Sequence, residues 1–78
     1  MTIRRLAIIG LGLLGGSIGL AVKARGLPVT TTGWDRDPAV RRRGAARGLV
    51  ETVHDTAEAA VANADLVILC VPVGAMGD

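Results

Sequence analysis

With 78 residues the chain is one domain at most, and a domain this small buries only about 60 to 65% of its unfolded surface, so marginal stability is expected of it alone. Half of its residues are apolar, yet Trp34 is the single aromatic; this composition suits closely packed helices and parallel strands and argues against an aromatic stacking surface for nucleic acid. The formal charge is only +2, and the arginines gathered at Arg41, Arg42, Arg43 and Arg47 read as a solvated helix face. The lone cysteine, Cys70, leaves no internal disulfide and agrees with a cytoplasmic location. The basic start is followed by an apolar run that glycines interrupt, which fits neither a membrane span nor a signal peptide.

Leu6 to Ile9 is a continuous apolar run, expected to form a central parallel strand buried on both faces. Glycines follow at Gly10, Gly12 and Gly15. From Leu14 the spacing becomes helical, with Leu14, Ile18, Ala21 and Val22 on one face, until Gly26 caps the helix and Pro28 prevents its continuation. Gly15 and Gly19 share a side, where the helix is expected to lie close on the sheet. Val29 to Trp34, rich in β-branched residues, reads as a second strand ending at Asp35. Asp37 and Pro38 have the form of a cap and a first-turn proline, opening a helix to Arg47 that Gly48 closes. Leu49 to Val53 gives a short edge strand. Asp55 and Glu58 have capping-box spacing and start an alanine-rich helix ending near Asn63. Leu66 to Val71 is a second fully apolar strand, which Pro72 leads out of the sheet.

This order predicts an α/β fold: the first half of a doubly wound parallel sheet of Rossmann type, with right-handed crossovers and strands in spatial order 3-2-1-4. The sequence stops at Gly77 and Asp78 where a further helix is expected to begin, so the sheet reads as truncated. In such a fold the glycine series is a turn that seats a dinucleotide pyrophosphate. Gly10 permits the tight turn, Gly12 admits the phosphates to the backbone, and Gly15 lets helix and sheet approach. An acidic residue about 20 positions further on reads the adenosine ribose, and Asp35 lies 20 past Gly15. Val71, Pro72 and Val73 are expected across the cleft, near the nicotinamide. Asp35 favours NAD, since a carboxylate repels a 2′-phosphate; Arg36 beside it leaves NADP as the alternative.

Groups for catalysis are scarce. His54, the single histidine, falls on the edge strand or the turn after it, away from the cleft, and reads as a solvated loop residue. Cys70 reads as a small core residue, and Ser17 as a packing or phosphate-contact residue rather than a nucleophile. No cluster of His, Cys and carboxylates has metal-ligand spacing.

Ile8 to Lys23 (IIGLGLLGGSIGLAVK), Gly33 to Pro38 (GWDRDP) and Ala64 to Met76 (ADLVILCVPVGAM) together resemble the amino-terminal cofactor domain of prephenate and arogenate dehydrogenases. Gly15, Gly16 and Ser17, with the VPV at Val71 to Val73, separate this pattern from other dehydrogenases with a GLG turn. The resemblance implies cofactor contacts at Gly10, Gly12, Leu13, Leu14, Gly15, Asp35, Arg36, Val71, Pro72 and Val73. It also implies an oxidative decarboxylation of prephenate or arogenate in tyrosine biosynthesis, by a homodimer joined through a helical carboxyl-terminal domain. That domain would hold the catalytic histidine and the arginines for the substrate carboxylates, leaving residues 1–78 as a partial dinucleotide-binding domain. The alternative expectations are a stand-alone nucleotide-binding module without catalysis, or the cofactor domain of another dehydrogenase with a GLG turn.

Overall fold

A computed structural model of the chain describes residues 2–70. Its elements are β1 (Arg5–Ile9), α1 (Leu13–Ala24), β2 (Thr30–Trp34), α2 (Pro38–Arg47), β3 (Thr52–Val53), α3 (Ala57–Val61) and β4 (Leu66–Leu69). The four strands form one parallel sheet in the order β3-β2-β1-β4. This is the expected order. Because β1 sits between β2 and β4, the crossover through α3 carries the chain back past the first two strands, and helices come to lie on both faces of the sheet.

The pleat of β1 sorts its side chains between those faces. Leu6 and Ile8 join Leu11 and Val50 in a buried cluster, against which Ile18 and Val22 of α1, Val40 of α2 and Ile68 of β4 pack. Ala7, also fully buried, faces the other way. On that side α3 approaches β1 and β2, and the Thr32 hydroxyl donates to the Ala60 carbonyl at 2.7 Å. The central strand is therefore covered on both faces, as its unbroken apolar run implies. β4 differs, since Leu66, Val67 and Leu69 are exposed at the sheet edge among the described residues.

Helix boundaries follow local chemistry. Asp37 caps α2 by accepting from the Ala39 amide at 2.8 Å, Pro38 occupies the first turn, and Gly48 ends the helix in the left-handed region at φ 63°. In α3 the cap lies one residue later than the spacing predicts. The Thr56 hydroxyl, not Asp55, accepts from the helix, from the Ala59 amide at 3.1 Å, and Glu58 falls in the first turn without closing a capping box. The helix also ends earlier, at Val61 rather than Asn63.

The expected face of α1 is corrected in part, for Ile18 and Val22 pack on the core while the other two residues do not. Leu14 is 65% exposed and Ala21 is exposed too, whereas Gly15, Gly16 and Gly19 are the buried residues of the helix. A Cβ at Gly15 would collide with the Gly10 carbonyl oxygen, so this contact is with the turn after β1. At Gly19 it would collide with the Leu49 carbonyl oxygen, so the second close approach is to the segment entering β3 and not to the sheet itself.

Candidate functional site

Three chain segments meet at the carboxyl end of β1. The Gly10 amide donates to the Trp34 carbonyl at the end of β2 (2.7 Å), and the Cys70 amide, just past β4, donates to the Ile9 carbonyl (2.8 Å). Gly10 has φ 101°, and a Cβ there would collide with the Cys70 carbonyl oxygen. Only glycine satisfies both the backbone conformation and the space.

The turn then delivers the chain into α1 with Gly12 at the N-cap. No side chain caps this helix and no acidic residue stands in its first turn. The first intrahelical bond runs from the Gly16 amide to the Gly12 carbonyl at 2.9 Å, so the amides at the start of the helix precede the ladder and point out of its positive end. A Cβ built on Gly12 meets nothing within 4 Å. Room, donors and a positive field without an acidic side chain of its own are what an anionic group such as a pyrophosphate requires. Leu13, 92% exposed, and Leu14 flank the opening.

Asp35 completes the arrangement. Its Oδ2 accepts from the Leu11 amide at 2.8 Å and its Oδ1 from the Asp37 amide at 2.9 Å, so the carboxylate is held against the glycine turn by one oxygen and against the start of α2 by the other. Each oxygen keeps a second lone pair free, enough to accept a pair of vicinal hydroxyls. Arg36 next to it is exposed. The turn (Gly10, Gly12, Leu13, Leu14, Gly15) and the β2 tip (Asp35, Arg36) are thus brought together, and their donors, acceptor and open space fit a dinucleotide. Val71, Pro72 and Val73 lie outside the described residues.

The remaining candidates stand apart. His54 follows β3, with its amide donating to the Gly33 carbonyl at 2.9 Å, and it lines a hollow with Arg5, Thr32 and Asn63 rather than the glycine turn. Cys70 is half-buried against the core cluster. The Ser17 hydroxyl donates to the Leu13 carbonyl one turn back (2.8 Å), which makes it an intrahelical bond and not a contact of the turn. Among the described residues no group of three or more His, Cys, Asp or Glu side chains could hold a metal ion, and no helix is long and apolar enough to cross a membrane. One functional candidate escaped the sequence reading. Arg41, expected on a solvated face, is half-buried and donates to the Asp35 carbonyl at 2.7 Å, whereas Arg42, Arg43 and Arg47 are exposed.

A parallel sheet in this order, with a glycine turn feeding an uncapped helix and a carboxylate at the tip of the neighbouring strand, defines a nucleotide-binding domain of the Rossmann class. The family model of the prephenate dehydrogenase nucleotide-binding domain matches residues 18–78, and a cyclohexadienyl dehydrogenase of Zymomonas mobilis is 49% identical over 74 residues, 95% of this chain and 25% of its own. The chain belongs to the prephenate dehydrogenase nucleotide-binding domain family. Solved structures agree in fold. Prephenate dehydrogenase from A. aeolicus, in complex with hydroxyphenyl propionate and NAD+, superposes with a TM-score of 0.81 at 22% identity over 97% of this chain and 27% of that one. Synechocystis arogenate dehydrogenase gives 0.77 at 24% identity, covering 90% and 24%. The chain spans about a quarter of the length of these relatives.

Proposed function

We propose that these residues seat NAD as the cofactor-binding part of a cytoplasmic prephenate or arogenate dehydrogenase. The observation that carries the reading is the Asp35 carboxylate fixed 2.8 Å from the Leu11 amide, which sets a ribose acceptor beside the uncapped start of α1. In this reading Gly10, Gly12, Leu13, Leu14 and Gly15 form the pyrophosphate seat, Asp35 accepts from the adenosine ribose, and Arg36 lies along the adenine side. Val71, Pro72 and Val73 are assigned to the nicotinamide side by the family resemblance. When bound, NAD supplies the acceptor for the hydride that leaves the substrate ring as carbon dioxide is lost.

The work of these residues is to bind and orient. The substrate is a small molecule, and the groups that hold its carboxylates, the general base and the homodimer contacts are assigned to other parts of the enzyme. The described residues support that division, since their one histidine lies at the β3 edge of the sheet. NAD is preferred to NADP because a 2′-phosphate would meet the Asp35 charge.

Dissociation constants for NAD and NADP on the chain and on Asp35→Ser test the assignment. The substitution is expected to weaken NAD and to move the NADP to NAD preference by about tenfold or more toward NADP, a difference of about 1.4 kcal/mol. An unmoved ratio would show that Asp35 does not read the ribose. Prephenate added with NAD to the 78-residue chain is expected to give no NADH.

A further inference from the structure

Arg41 stands where helix electrostatics argue against it. It is the fourth residue of α2, at the end of the dipole that favours acidic residues, and that first turn holds none. Its amide makes the first helical bond, to the Asp37 carbonyl at 3.0 Å, while its side chain turns back past the start of the helix. There its Nη1 donates to the Asp35 carbonyl at 2.7 Å, in a part-buried setting that its exposed neighbours Arg42 and Arg43 do not share. A long cation ordered against its own dipole marks a local conflict of the kind that positions something else.

What it positions is the peptide that follows Asp35. The two side-chain bonds of Asp35, from the Leu11 and Asp37 amides, act through the carboxylate, whereas the Arg41 bond acts on the carbonyl of the peptide that follows. The third tie, at the carbonyl, fixes the backbone from which the carboxylate is aimed.

We propose that Arg41 is a positioning residue of the nucleotide site, acting through Asp35 to hold the ribose-reading carboxylate in its aim. The inference rests on Asp35 being that carboxylate, and the test separates the two. Dissociation constants for NAD and for 5′-AMP, which carries the adenosine half alone, are measured by calorimetry on the chain, Arg41→Met, Asp35→Asn and the double variant. Arg41→Met keeps the aliphatic stem and loses the donor; it is expected to weaken both ligands about tenfold, the scale of one charge-assisted hydrogen bond. Without the Asp35 carboxylate the same substitution is expected to change little.

In the amide spectrum of free Arg41→Met, Leu11 and Asp37 are expected to shift while the α3 residues stay in place. Should Arg41→Met not fold, Arg41→Lys carries the same comparison with an expected loss of about threefold. Unchanged affinity for AMP, an equal loss with and without the Asp35 carboxylate, or spectral changes spread over the whole chain would each overturn the positioning role. Failure of the unaltered chain to bind either ligand would overturn the nucleotide site itself, and this inference with it.

Discussion

Gly10 and Gly12 stand two residues apart and answer to different physics. At Gly10 a side chain meets both a positive φ of 101° and the Cys70 carbonyl, so Gly10→Ala is expected to destabilise the fold by about 2 kcal/mol or more. At Gly12 the backbone is extended and the space around a Cβ is open, so Gly12→Ala should cost at most about 1 kcal/mol, the preference for Gly over Ala at an N-cap. Under the proposed assignment its effect falls on the ligand instead, because the methyl group would stand on the open side of the turn where the pyrophosphate is proposed to sit. Urea denaturation and NAD titration of the two variants should therefore rank them in opposite order, and an NAD affinity in a folded Gly12→Ala equal to that of the unaltered chain would remove Gly12 from the proposed seat. The spacing of glycines and of Asp35 is legible in the chain because each answers to a backbone demand at a fixed distance from the strand end. The bonds from the Leu11 amide to the Asp35 carboxylate and from Arg41 to the Asp35 carbonyl are not legible, since spacing says nothing about which way a long or branched polar side chain folds back.

Among the elements, α1 shows how a hydrophobic pattern can be right in part: Ile18 and Val22 pack on the core as the spacing implies, while Leu14 and Ala21 do not. A helix that must press its backbone onto the Gly10 and Leu49 carbonyls buries glycine there, and glycine contributes almost nothing to an apolar stripe. Leu14, the first residue of the pattern, is left at the surface with Leu13 beside the glycine turn. In α3 the spacing names Asp55 as the cap, but its neighbour Thr56 takes the role. The turn after β3 decides it: the Asp55 carbonyl receives the Trp34 indole N–H at 3.1 Å, and Thr56 is the residue left in extended conformation with its hydroxyl over the Ala59 amide. Thr56→Ala is expected to cost about 1 kcal/mol, whereas Asp55→Ala, which leaves the carbonyl in place, should cost much less. Thermal or urea midpoints of the two variants check the assignment, and a larger loss in Asp55→Ala would restore the earlier cap.

At the scale of the whole molecule the place of β1 was legible because an apolar run without alternation fits a central parallel strand, and β1 is both. The side-chain tie between the neighbouring strands β1 and β4 was not. Asp65, at the entry to β4, accepts from the Arg4 amide at 2.9 Å and from the Arg5 amide at 3.0 Å through one carboxylate oxygen, while its own amide donates to the Arg5 carbonyl. The last described strand is thereby clamped to the first at the end of the sheet opposite the glycine turn. Those two backbone amides, the Arg4 bond first, hold the Asp65 carboxyl below the ordinary aspartate range, with the arginine charges adding to the effect and the slight burial opposing it.

The sign of the consequence follows from linkage. The folded state releases the Asp65 proton more readily than the unfolded chain, so the clamp stabilises fully above the unfolded value of about 4 and loses its contribution as pH falls through the lower folded value. Asp65→Asn, with no proton to lose there, is expected to be less stable than the unaltered chain at pH 7 and to converge with it in acid. Other carboxylates slope equally in both proteins, which leaves the difference between their urea midpoints from pH 7 to pH 2 as the signature of this one group. A difference that stays constant across that range would mean that Asp65 holds the strands by shape alone, and that the charge on its carboxylate adds nothing to the join between β1 and β4.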